Sequence, residues 1–158
     1  MKWLSQRSNY RVIRAAGGFL IMLGLTLFIL LGDSRDIVRT EVFFIKSDVS
    51  IDAHVVESQS DRALGLSIYD ELESDRGMLF IFSKKDKHGF WMKDMKFPID
   101  IIWLDETKRI VWIEQKVQPA SYPKVFTPPS QALYVIETVE GYTDYHRISV
   151  GDYVSFEE

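Results

Sequence analysis

The sequence predicts a mainly β fold: a compact barrel or roll of about eight short strands with one or two short helices, preceded by an N-terminal transmembrane helix. Three observations predict it. Short runs rich in Val, Ile, Phe and Tyr recur from Glu41 onward, parted by charged, Gly- or Pro-containing turns. Hydrophobic residues make up 46% and aromatics 13% of the 158 residues, enough to pack a core and too apolar for disorder. Ahead of the strands stands a charge-free run, Ala15 to Gly32.

That run reads AAGGFLIMLGLTLFILLG. A helix of this length covers roughly 27 Å, enough to cross a bilayer core. The tail before it holds Lys2, Arg7, Arg11 and Arg14 and no acid, so the positive-inside rule leaves the N-terminus in the cytoplasm. Residues 1–14 are thus a basic cytoplasmic tail, 15–32 a single-pass anchor in the lipid bilayer, 33–40 a tether, and 41–158 an extracytoplasmic domain, periplasmic or extracellular. The alternative is a cleaved signal peptide, with Gly32 and Ser34 as small residues before the cut and a secreted product.

The chain has no cysteine, which removes disulfides, thiolate catalysis and cysteine-based metal or iron–sulfur sites. No cofactor is expected. The net charge of -4 hides an asymmetry, because all 23 acidic side chains and 15 of the 19 basic ones lie beyond residue 32. A domain that acidic is a poor partner for nucleic-acid phosphates.

Within the domain, EVFFIK (41–46) and IDAHVVES (51–58) read as strands. Ser58 or Ser60 caps a short helix that Gly65 ends, with Asp61 in its first turn. Residues 69–76 form a charged loop, GMLFIF (77–82) a buried strand and SKKDKHG (83–89) a basic turn. GFWMKD (89–94) and FPIDIIWLD (97–105) are the next strands, parted by Pro98. A turn at 105–108 leads to IVWIEQKV (110–117). Residues 118–129 hold four of the five prolines and so form a long loop or an edge. QALYVIETV (131–139) is another strand. A helical turn follows Gly141, and Gly151-Asp152 turns into a last strand, YVSF (153–156).

The most unusual stretch is GFWMKDMKFPIDIIWL (89–104). In a strand over 89–94, Phe90, Met92 and Asp94 share one face, and Trp91, Lys93 and Met95 the other. Asp100 falls on the face of Ile102 and Leu104. A carboxylate in such a run either accepts backbone N–H bonds or stays charged for a purpose. GMLFIF, FWMKDMKFPIDIIWLD, the distal strand with Glu137 and Gly141, and then VGD resemble the uncharacterised family called domain of unknown function 192, over about Val42 to Phe156. The resemblance implies a compact β-barrel-like domain, often behind a signal or anchor, with no established activity. Its marked positions fall on Gly65, Leu66, Gly77, Met78, Leu79, Phe80, Phe90, Trp91, Met92, Lys93, Asp94, Pro98, Asp100, Glu137, Gly141 and Gly151. The chain departs at Ser67, where the family usually has Met, and at Asp94, where it usually has Asn.

The principal expectation is a binding module for a small polar ligand, glycan or peptide, or for another envelope protein, with candidate residues Trp91, Met92, Lys93, Asp94, Pro98, Asp100, Met78 and Glu137. The alternative is a hydrolase using Asp94 with Asp100, or Asp100 with Glu137, as acid and base. No nucleophile elbow, HExxH or phosphate loop occurs. A Cu(I) site from Met78, Met92, Met95 and His88 competes with methionine as gap-filling core, and no metal is expected. A purely structural or assembly role is the remaining reading.

Overall fold

A computed structural model describes residues 37–157. The expected basic tail, the membrane helix at 15–32 and residues 33–36 of the tether lie outside the described residues. Among the described residues no helix is long and apolar enough to cross a membrane.

The described chain runs β1 (Arg39–Phe44), β2 (Val49–Val56), α1 (Gln59–Leu64), a 3₁₀ turn (Gly65–Ile68), β3 (Arg76–Asp86), β4 (Phe90–Trp91), β5 (Ile99–Leu104) and β6 (Ile110–Val117). A second 3₁₀ turn (Pro119–Ser121), β7 (Val125–Phe126), β8 (Ala132–Val139), α2 (Tyr142–Tyr145) and β9 (Val154–Ser155) complete it. Seven strands form one sheet in the order β6-β5-β8-β3-β2-β1-β9, and β4 and β7 pair as a separate ribbon. Only β2 and β3 run parallel, which requires a crossover; α1 and the first 3₁₀ turn provide it. The sheet curls into a half-barrel whose outer strands are stitched at one end. There Val154 N–H donates to the Lys108 carbonyl at 3.0 Å and Ile110 N–H to the Asp152 carbonyl at 2.9 Å, around an Arg109–Tyr153 bridge.

The central strands are apolar on both faces because each face has its own core. Register places Ala53, Gly77, Thr138 and Asp100 in one row, and His54, Met78, Glu137 and Ile101 in the next. Side chains alternate along each strand, so these rows point to opposite sides. The inner face packs Val42, Phe44, Leu79, Ile102, Ile136 and their neighbours. The outer face packs Met78, Phe80, Ile101, Trp103 and Val135 under Leu66, Met92 and Phe126, which come from the crossover, the turn after β4, and β7.

Local chemistry sets the helix and turns. Ser58 caps α1 by accepting the Asp61 N–H at 3.1 Å, and Gly65 ends it at φ 53°. The 105–108 turn lacks glycine, so Lys108 takes φ 62° while Asp105 Oδ1 accepts N–H groups from Thr107 and Arg109. Two expectations need correction. The strand expected over 89–94 stops at Trp91, because Asp94 adopts φ 58° and the chain turns, with Met95 N–H donating to the Met92 carbonyl. The basic turn expected at 83–89 begins late, since β3 continues through Asp86 beside β8. The proline-rich segment, expected as a loop or an edge, contains the edge strand β7, which pairs with β4 in the two-stranded ribbon.

Candidate functional site

Asp100 is fully buried on the inner face, and its carboxylate is saturated. Oδ1 accepts the N–H groups of Lys116 at 2.8 Å and Gly141 at 3.0 Å. Oδ2 accepts the Thr143 N–H at 3.0 Å and its hydroxyl at 2.6 Å. The acid ties the end of β6 and the start of α2 to β5, a structural duty that removes it from ligand contact. It also removes Asp100 from either carboxylate pair. Ile101 stands opposite Glu137, so Asp100 and Glu137 point to opposite faces of the sheet. Asp94 is exposed in the turn after β4, while Asp100 is sealed.

Glu137 is in the contrary condition. It is 4% exposed, flanked in register by Met78 and Ile101, and its Oε2 has no hydrogen-bond partner. The Leu66 N–H donates to the carboxyl, and this alone favours ionisation; burial dominates and raises the pKa from 4.5 to about 8. The side chain is therefore protonated at neutral pH.

Glu137 lines the floor of a pocket of about 260 Å³ on the outer face. One side is the crossover. Gly65 packs directly against the acid: a Cβ built on it would stand 3.5 Å from Glu137 Oε2, which is itself buried. Arg62 lies over the Phe82 ring, its guanidinium carbon 4.8 Å from the centroid, and donates to the carbonyls of Glu57 and Ile81. The other side is the segment after β3. His88 stacks on Phe82 at 3.5 Å with 10° between the rings. Trp103 Nε1 fixes that loop by donating to the His88 carbonyl at 2.9 Å. Burial lowers the pKa of the His88 ring. Phe90, Trp91, Lys93 and Met95 complete the lining. Trp91 is 47% exposed and meets Tyr122 edge-on at 6.0 Å.

Of the sequence-derived candidates, the structure brings together Trp91, Lys93 and Glu137. Met78 and Met92 are core residues beneath them, at 0% and 1% exposure. Pro98 is half-buried where the chain enters β5, away from the pocket lining. Asp94 needs its left-handed backbone, which Asp and Asn both tolerate, so exchanging the usual amide for an acid changes no pocket contact. Met95 is only partly packed against the core holding Met78 and Met92, and His88 Nε2 is engaged with the Lys84 carbonyl at 3.1 Å. Among the described residues no group of three or more His, Cys, Asp or Glu side chains could hold a metal.

Sequence reasoning missed Arg62 and Phe82 as pocket residues. One signal was present. Glu137 is the only charged residue in β8, a strand apolar on both faces.

Residues 42–156 match the model of a family described as "Uncharacterized ACR", DUF192. No curated protein matches the chain. The fold is similar to a Novosphingobium aromaticivorans protein of unknown function, with TM-score 0.69 and 26% identity over 75% of this chain and 84% of that one. It is also similar to a Sinorhizobium meliloti protein provisionally assigned as a transcription regulator. That match has TM-score 0.68 and 23% identity over 75% of this chain and 92% of the other.

Proposed function

The chain belongs to the domain of unknown function 192 family, and from that premise we propose that it is a binding module whose outer-face pocket takes a small polar ligand. Glu137 Oε2 carries the reading. A buried carboxyl oxygen without a partner forgoes a hydrogen bond worth about 1–3 kcal/mol, and a ligand reaching the pocket floor supplies it. Aromatic walls around a few polar groups are the usual make-up of such sites. The pocket offers no second carboxylate beside Glu137, so binding is favoured over paired-acid hydrolysis.

A thermal-shift screen of sugars, amino acids, dipeptides and small organic acids tests this. A ligand at about 100 times its Kd adds roughly 2.7 kcal/mol, a rise of several degrees. At least one compound is expected to raise the midpoint of the wild-type chain and to lose its effect in Trp91→Ala. Equal shifts in both proteins would place binding elsewhere and overturn the reading.

We further propose that residues 15–32 anchor the domain outside a membrane, supported by their charge-free length and the basic residues before them. The full chain should stay in the membrane pellet after alkaline carbonate washing, and protease added from outside should degrade the domain. Recovery in the soluble fraction with its N-terminus intact would contradict the anchor.

A further inference from the structure

Resting on the binding reading above, we propose that the pocket is selective for a small organic carboxylate, held between the Glu137 acid group and the side chains of Lys93 and Arg62. The geometry begins with charge. Beyond residue 32 acids outnumber bases 23 to 15, yet the charged side chains at the pocket rim, Arg62 and Lys93, are both cationic. Lys93 has no ion pair with any described residue, although other lysines of the domain, such as Lys85, Lys96 and Lys116, do. A local inversion of charge in an acidic domain selects for anions.

The floor matches the rim. Glu137 lines the pocket beside Gly65, and its buried Oε2 has no hydrogen-bond partner among the described residues. A protonated carboxyl group there is a donor, and its natural complement is an acceptor oxygen. A ligand carboxylate offers one bearing charge, which gives the shorter and stronger kind of hydrogen bond. An ammonium ligand would need Glu137 ionised in an apolar setting and would meet two cations on entry. No neighbouring charge offsets the burial of Glu137. Arg62 joins the lining from α1 and Lys93 from the turn after β4. Other titratable groups on this side include His88, between β3 and β4, with Asp86 close enough to act on it, and His54 on β2, with Asp61 and Arg39 close enough to act on it and its Nδ1 bonded to the Tyr69 hydroxyl at 3.1 Å. Both imidazoles have lowered pKa values, chiefly through burial, so neither adds charge at neutral pH. Phe82, Phe90 and Trp91 suit an aromatic or apolar body behind the carboxylate.

Four probes sharing one ring separate the possibilities: benzoate, phenyl phosphate, benzamide and benzylamine. Titration calorimetry on the full chain in detergent should show benzoate binding tighter than the other three. Because the bound form needs the Glu137 proton, affinity should fall about 10-fold between pH 7 and pH 9. Glu137→Gln keeps a donor but has no proton to lose, so its affinity for benzoate should no longer vary over that range. Lys93→Ala changes an exposed side chain outside the core, and should weaken benzoate by about 3-fold or more while leaving benzamide unaffected. Tighter binding of phenyl phosphate assigns the site to phosphoryl anions and overturns the carboxylate assignment. Tighter binding of benzamide or benzylamine overturns the anion inference and leaves a binding module standing. No binding by any of the four overturns the carboxylate assignment, while the thermal-shift screen decides the binding reading separately.

Discussion

Burial leaves Glu137 protonated at neutral pH, and this fixes the sign of a pH dependence. Folding raises its pKa from 4.5 to about 8, so between those values the folded chain keeps a proton that the unfolded chain releases. The stabilising contribution is complete below pH 4.5, is lost as pH rises towards 8, and is constant above. His54 and His88 have lowered pKa values and act in the opposite sense below about 6.5. The clean window is therefore pH 6.5 to 8, where wild-type stability should fall by about 1.4 kcal/mol per unit relative to Glu137→Gln in urea titrations. Parallel curves for the two proteins would place an ionised acid at this position. Asp100 gives the contrasting case. Removing it as Asp100→Ala strands three backbone N–H groups in the interior, at an expected cost of about 3–5 kcal/mol measured by denaturant midpoint. The sequence marked Asp100 as anomalous inside an apolar run, whereas Glu137 entered through the family resemblance. It could not tell them apart, because the difference lies in what reaches them from β6, α2 and the crossover.

At the scale of elements, β2, β3, β5, β6 and β8 were legible because Val, Ile and Phe runs bounded by turn residues have few other uses. α1 was legible from its Ser58 cap and Gly65 stop. The 89–94 segment misled because alternation alone cannot register a backbone that turns left-handed at Asp94. That turn brings Lys93 to the pocket and sends Met92 into the core. Its conformation gives a direct prediction. Asp94→Asn and Asp94→Gly should unfold within about 0.5 kcal/mol of wild type, while Asp94→Val should lose about 1–2 kcal/mol because a β-branched residue resists φ 58°. Equal stability of all three would show that the turn relaxes. The pocket was not legible, because it forms where a crossover meets a loop distant in sequence, and neither segment has a local pattern that announces the other.

For the described domain as a whole, two cores share one sheet. β3, β5 and β8 contribute to both faces, so loosening either core should loosen the other. Gly77 sits where this coupling is tightest. A Cβ there would lie 2.6 Å from Ile51 Cδ1 and 2.7 Å from the Glu137 carbonyl oxygen, one of which is backbone and cannot yield cheaply. Gly77→Ala should cost about 1–3 kcal/mol and shift fluorescence and far-UV transitions together. Separate transitions would mean that the faces unfold independently. The barrel-like architecture was foreseeable from strand spacing, whereas the second core was not, since the residues covering it come from short segments with weak periodicity.

The account turns on the protonation state of one side chain, which carbon-13 NMR of the Glu137 carboxyl can follow directly through a pH titration. It predicts a midpoint near 8 in the free protein, moving higher when benzoate is added. A midpoint near 4.5 that benzoate leaves in place would contradict it.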